Sequence, residues 1–210
     1  MDSNFLELAR QARKEDNAKE AAKYYAKVRE EDPKSVEAKF FAPYYALQAA
    51  TVAGLPNRFV EYVKVVPGCL DLIKEMPVSD EEKIALLKTI IDIHAEQPHK
   101  ISLMAWQIQM GEPDTYDIDD IFLIKDEGVK SLVEVGDKIA LLFGKSSKAM
   151  ELAANCWKAV FADKALLERF DYVCCANKKE APAKRQELIQ KIQEVDPSFE
   201  PPKAKGCGSK

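Results

Sequence analysis

The stretch YYAKVREEDPKSVEAKFF, Tyr24 to Phe41, decides the fold. Its first half carries apolar residues at helical spacing, with Ala21, Tyr25 and Val28 on one stripe. Proline disfavours helix in the residue before it, so the helix stops at Asp32-Pro33. Ser35 then offers an oxygen to the free amides of a new helix, which places Phe40, Tyr44 and Leu47 along one face. Two helices joined by so short a break must fold back on each other. Lys191 to Pro202, KIQEVDPSFEPP, ends a helix in a similar way.

The same pattern extends in both directions. Phe5, Leu8, Ala9 and Ala12 share a face of a first helix, and Asn17 with Glu20 forms a capping-box arrangement at the next. Pro43 falls inside the third helix and predicts a kink. A fourth helix is expected from about Arg58 to Glu75, with a kink near Pro67-Gly68. Ser79-Asp80-Glu81-Glu82 is a helix start: a serine cap, a glutamate three residues on, and acids facing the positive helix end. That fifth helix turns Ile84, Leu87, Ile91 and His94 inward, breaks near Pro98 and resumes through Ile101, Met104 and Ile108.

Gly111 to Asp120 reads as a connection. Beyond it, one helix runs through Ile121, Val129, Leu132, Val135, Ile139 and Leu142 to Gly144, and another from Ser146 or Ser147 through Leu152, Trp157 and Phe161. A further segment starts at Asp163 with Leu166, Phe170 and Val173. The last helix starts at Pro182 and buries Leu188, Ile192 and Val195. Alternating β-branched runs are nearly absent. The expected fold class is therefore all-α, built of antiparallel helix hairpins that continue into an irregular α-solenoid or helical bundle. We read a single domain over 1–200, with 1–56 as the hairpin region, 57–110 and 117–196 as the helical body, and 201–210 as a disordered tail.

Bulk properties narrow the function. The chain has 210 residues, 47% apolar and 31% charged, enough to build a core without disulfides or metals. The formal net charge is −4 and no basic block exists, which argues against nucleic acid as a partner. No apolar run approaches the roughly 20 residues of a membrane helix, and no signal-peptide core is seen, so a cytoplasmic location is expected. The five cysteines, Cys69, Cys156, Cys174, Cys175 and Cys207, are odd in number and form no C-x-x-C, which points to free thiols in a reducing compartment.

The N-terminal helix pair resembles a tetratricopeptide repeat, a unit of ~34 residues. Phe5, Leu8, Ala9 and Ala12 stand at the Trp, Leu, Gly and Tyr places of its first helix. Ala21 and Tyr25 reproduce its A-x3-F, and Pro33 closes it. Phe41, Ala42 and Tyr45 begin a second unit, which Gly54 interrupts, and Arg185 takes the alanine place in the C-terminal echo. The chain is also similar to bacterial multi-helix proteins of unknown role in which such a pair leads an irregular helical body.

The resemblance implies a scaffold that binds another protein or a peptide. In that family the first helix lines the concave surface, which makes Arg10, Arg13 and Lys14 the candidate binding residues for an acidic peptide end. Leu6 and Arg10 occupy places where the family's clamp has Lys and Asn, and a solvated charged face is the competing account. Tyr24 and Tyr44 serve equally as groove aromatics or as core.

Motifs for chemistry are missing or incomplete. Phe143 to Lys148, FGKSSK, lacks the earlier glycine of a phosphate loop and reads as a helix stop followed by a serine cap. His94 and His99 lie five apart across Pro98, the wrong spacing for a metal pair on a helix; His94 reads as a core-edge residue and His99 as an exposed one. Glu112, Asp114, Asp117, Asp119 and Asp120 lack the glycine and final glutamate of a calcium loop. Cys207-Gly-Ser-Lys lacks the aliphatic pair of a prenylation box. We expect no cofactor, no metal and no catalytic site. The alternatives are an enzyme whose site gathers His94, Cys156 or the Asp117 to Asp120 carboxylates, and a self-assembling structural protein.

Overall fold

The computed structural model describes residues 4–111, 117–177 and 179–202. The fold is all-α, and the described residues contain no strand. The helices are α1 (Asn4–Lys14), α2 (Ala18–Glu31), α3 (Val36–Gln48), α4 (Leu55–Glu75), α5 (Asp80–His94), α6 (Gln97–Gly111), α7 (Ile118–Phe143), α8 (Ser147–Ala159), α9 (Lys164–Val173) and α10 (Ala181–Val195). A short 3-10 turn, Val52–Gly54, precedes α4. The tail after Pro202, with Cys207, and the acidic residues Glu112 and Asp114 lie outside the described residues.

Local chemistry sets most helix ends. Asn17 accepts a hydrogen bond from the Glu20 amide, Ser35 from Ala38 and Ser146 from Ala149. Ser79 and Glu82 complete a reciprocal capping box at α5. Asp117 and Asp163 cap α7 and α9. Phe143 to Lys148 is a helix stop followed by a serine cap, as its residues imply. Asp16 takes a left-handed φ of 54°, a conformation Asp tolerates, and this turns the chain tightly between α1 and α2.

Two boundaries differ from expectation. Helix α4 starts at Leu55 rather than Arg58, because Pro56 sits in its first turn, where a missing amide costs nothing. Helix α8 ends at Ala159, and Phe161 buries itself from the following turn instead. Pro43 and Pro67 lie inside α3 and α4 without ending either helix.

Packing falls into two parts. Helices α1 to α4 lie side by side in chain order, each against the next. Ala9, Ala21 and Ala38 are fully buried where they meet. Tyr25 fills the space between, stacked on Phe41 at 5.4 Å and on Tyr45 at 6.1 Å. Beyond α4, the long α7 becomes the hub and packs on α4, α6, α8 and α9. Its glycines allow close approach. A Cβ at Gly128 would sit 2.8 Å from Pro98 Cβ, and one at Gly136 2.4 Å from Trp157 Nε1. Trp157 donates to Asp137 Oδ1 at 3.1 Å, and Lys191 of α10 reaches the same oxygen at 3.1 Å.

One face differs from the sequence reading. On α6, Ile101 and Ala105 point inward together with Pro98 and Ser102, Ile108 is half-buried, and Met104 is exposed. The buried seam is set by the crossing with α7 at Gly128, a contact that helical periodicity within α6 cannot reveal.

Candidate functional site

Helices α1, α3 and α5 enclose an open cleft of about 560 Å³. Its floor is Val36, Phe40 and Phe41 of α3, and Leu86 and Ile90 of α5 form the far wall. Arg10, Arg13 and Lys14 rise from α1 along one rim, so the structure brings all three candidate residues to one cleft. They lie on its rim because they follow the buried Ala9 and Ala12 by one or two residues around the helix.

The three cations are not equivalent. Arg10 grips Glu37 of α3 through both carboxylate oxygens, with Nη2 to Oε2 at 2.7 Å and Nε to Oε1 at 3.1 Å. The Tyr25 hydroxyl donates to the same Glu37 Oε1 at 2.8 Å. Burial pushes the Glu37 carboxyl up, but the Arg10 and Tyr25 hydrogen bonds outweigh it and leave it below the usual carboxylate range. Burial and the Glu37 hydrogen bond together hold the Tyr25 phenol well above its ordinary value. Arg13 lies over the Phe41 ring, 4.1 Å from its centroid. Lys14 forms no ion pair among the described residues and stands exposed at the end of the rim.

The site therefore has a neutralised inner end at Arg10–Glu37 and a cationic outer end at Arg13 and Lys14. Glu37 was missed from sequence. Its signal was faint: an acid in the first turn of α3 is favourable for the helix alone. Tyr25 reads from its spacing as core and is fully buried, and its hydroxyl meets Glu37 from beneath the cleft. Tyr24 and Tyr44 are both half-buried, Tyr24 stacked on Phe5 at 6.4 Å and Tyr44 on Phe40 at 6.0 Å.

The residues weighed for catalysis lie elsewhere. His94 is fully buried rather than at the core edge, because α4, α5 and α7 converge on it. Its Nε2 lies 3.2 Å from Ser131 Oγ, and the Ser131 hydroxyl also lies 3.4 Å from the Val63 carbonyl. Burial drives the His94 pKa down to about 4, so the ring is neutral near pH 7. Its Nδ1 and the Tyr62 hydroxyl, in rings 5.8 Å apart, are buried without hydrogen-bond partners among the described residues. Cys69 and Cys156 are also buried, and burial lifts both thiols to about 12, far from reactive thiolates. His99 is half-exposed, with Nδ1 3.2 Å from Asp163 Oδ2, beside an open polar cleft near Lys100 and Asn155. Asp117, Asp119 and Asp120 occupy the start of α7, where Asp117 is the cap. Among the described residues, no group of three or more His, Cys, Asp or Glu side chains converges as a metal site.

This geometry defines the chain as an all-α protein with an aromatic-floored, cation-rimmed cleft. Compared with protein-family models the chain matches none, and no curated protein is significantly similar to it. No helix among the described residues is long and apolar enough to cross a membrane.

Proposed function

We propose that this protein is a non-catalytic interaction module that receives a peptide or helix of another protein in the α1–α3–α5 cleft. The observation that carries the reading is the convergence of Arg13 and Lys14 with the apolar floor of Phe40, Phe41 and Ile90. An apolar floor with a cationic rim suits an amphipathic segment bearing acidic residues. The tetratricopeptide-like spacing of residues 5–33 supports it, since in such a scaffold the first helix of each pair faces the groove. Two of the three helices around the cleft, α1 and α3, hold that position in the chain order.

The test is selection from a displayed library of acidic amphipathic peptides. Binding is then measured by fluorescence anisotropy against the wild type and an Arg13→Glu/Lys14→Glu variant. Selected peptides are expected to lose at least tenfold in affinity for the variant. Peptides that bind both proteins equally, or a selection that yields none, would overturn the reading.

A further inference from the structure

Glu37 is held as a bound anion would be. The Arg10 fork meets both of its carboxylate oxygens, at 2.7 Å and 3.1 Å, and the fully buried Tyr25 hydroxyl donates to Oε1 at 2.8 Å. The charge of Arg13 acts on the same two groups: it favours the Glu37 carboxylate and opposes the rise at the Tyr25 phenol. One carboxylate from α3 thus stands among donors from α1 and α2. A bidentate Arg fork beside a buried hydroxyl donor is the geometry of an oxyanion receptor, and here the chain's own side chain fills it. The receptor opens on the cleft, since Arg10, Arg13 and Glu37 all line it. The Glu37 side chain is 24% exposed, so its carboxylate can be reached and can leave. Swung into solvent it stays in the first turn of α3, where the positive helix end favours it.

The chemistry of the receptor selects what can displace Glu37. Arg10, Arg13 and Lys14 against Glu37 leave the cleft lining with an excess of positive charge. A ligand carboxylate has the same charge and the same fork geometry as Glu37. It would exchange one bidentate pair for an equivalent one, against a competitor tethered in place and so at high effective concentration. That exchange yields nothing. A phosphomonoester carries about −2 charge at pH 7 and presents three strong acceptor oxygens. It can take the Arg10 fork, the Tyr25 hydroxyl and the Arg13 charge together, and its second charge meets the positive excess. Glu37 therefore screens out single carboxylates at the inner end of the cleft and yields to a dianion.

We infer that Glu37 is an internal stand-in for a phosphate, and that the anion recognised by Arg10, Arg13 and Tyr25 is a phosphomonoester on the bound peptide. This rests on the reading of the α1–α3–α5 cleft as a peptide site and adds the class of ligand that fills its inner end. The phosphate belongs to a peptide because the apolar floor of Phe40, Phe41 and Ile90 adjoins the receptor, and free phosphate would leave that floor unused.

The test resynthesises the selected acidic peptides with each Asp or Glu replaced in turn by phosphoserine, and screens an arrayed phosphoserine library in parallel. Anisotropy with the full chain is expected to find one position at which phosphoserine binds at least about tenfold tighter than the acidic parent. An Arg10→Gln/Glu37→Gln variant, which keeps the cleft's net charge, is expected to lose that gain and to hold the acidic parents within about twofold. Glu37→Gln alone is expected to tighten the phosphopeptide severalfold, since its competitor is gone; thermal melts confirm that both variants are folded. Acidic parents that bind while no phosphoserine gains tenfold overturn this inference and leave the peptide site standing. A gain that survives Arg10→Gln/Glu37→Gln, or a phosphopeptide weakened by Glu37→Gln, overturns it too. If neither acidic nor phosphorylated peptides bind, both readings fall. Arg10-dependent co-sedimentation with phosphatidylcholine–phosphatidic acid vesicles, with no gain from any phosphopeptide, would assign the anion to a lipid headgroup and overturn the peptide source.

Discussion

The α1–α4 layer and the α7-centred body bring helices into close contact by different means. In the first, Ala9, Ala21 and Ala38 form small spots on neighbouring helices, and Tyr25, Phe40 and Phe41 fill the space between. In the second, α7 supplies Gly128 and Gly136, and residues distant in sequence, Pro98 and Trp157, press into the gaps. The first device repeats along the chain, so its spacing announces it. The second joins segments far apart in sequence, and nothing local marks either glycine as a contact. Polar groups follow the same division. In the layer, Arg10, Glu37 and the buried Tyr25 hydroxyl satisfy one another. Where α4 of the layer meets α5 and α7, Tyr62, His94 and Ser131 are buried together with part of their hydrogen-bonding capacity unused.

The contrast can be broken most forcefully at Tyr25. Tyr25→Ala empties the center of the layer and strips a donor from Glu37, and should cost about 4 kcal/mol in urea unfolding. In the body, Gly136→Val drives side-chain atoms into Trp157 and should cost about 3 kcal/mol. A Trp157→Phe change in the same chain should return part of that loss, which would identify the clash as the cause. Full recovery of stability without the second change would show that α7 and α8 are not tightly packed there.

His94 gives the body a pH signature that the layer lacks. Its folded pKa, about 4, lies below the ordinary 6.5. Above pH 6.5 the ring is neutral in both folded and unfolded chains, and its stabilising contribution is complete. As pH falls from 6.5 to about 4 the unfolded chain takes up the proton first, so stability declines by roughly 3 kcal/mol over that window. Denaturant titrations of the wild type and His94→Leu should differ in slope there and run parallel above pH 7.

Tyr62→Phe removes a buried hydroxyl that has no partner among the described residues. It is expected to leave the packing where α4 meets α5 and α7 intact and raise stability by about 1 kcal/mol. A loss of stability instead would mean that the hydroxyl is hydrogen-bonded, for instance through a water. The smallest effect belongs to the layer: Glu37→Gln should cost about 0.5–1 kcal/mol, since its Arg10 partner is half-exposed. It also releases Arg10, so affinity for an acidic peptide should rise severalfold in the anisotropy assay.

Much of the site was legible because it rests on helical spacing. Once Ala9 and Ala12 face inward, Arg10, Arg13 and Lys14 must lie toward a rim, and Phe40 falls on the inner face of α3. What was not legible was the pairing of Arg10 with Glu37, 27 residues apart. Nor was the wall contributed by α5, since no local rule brings Ile90 to α1. The exposure of Met104 was not legible for the same reason: every face of α6 carries apolar residues, so only its crossing with α7 selects the buried one.

The sequence alone determined the all-α class, most helix ends and the core stripes, because caps, prolines and apolar spacing act within a few residues along the chain. Only the tertiary structure decided which helices meet. It left Leu103, Trp106 and Met110 uncovered and buried His94, and it closed the cleft with α5. Those outcomes depend on long-range fit between side chains, set here by Gly128, Gly136 and the groups that pack against them.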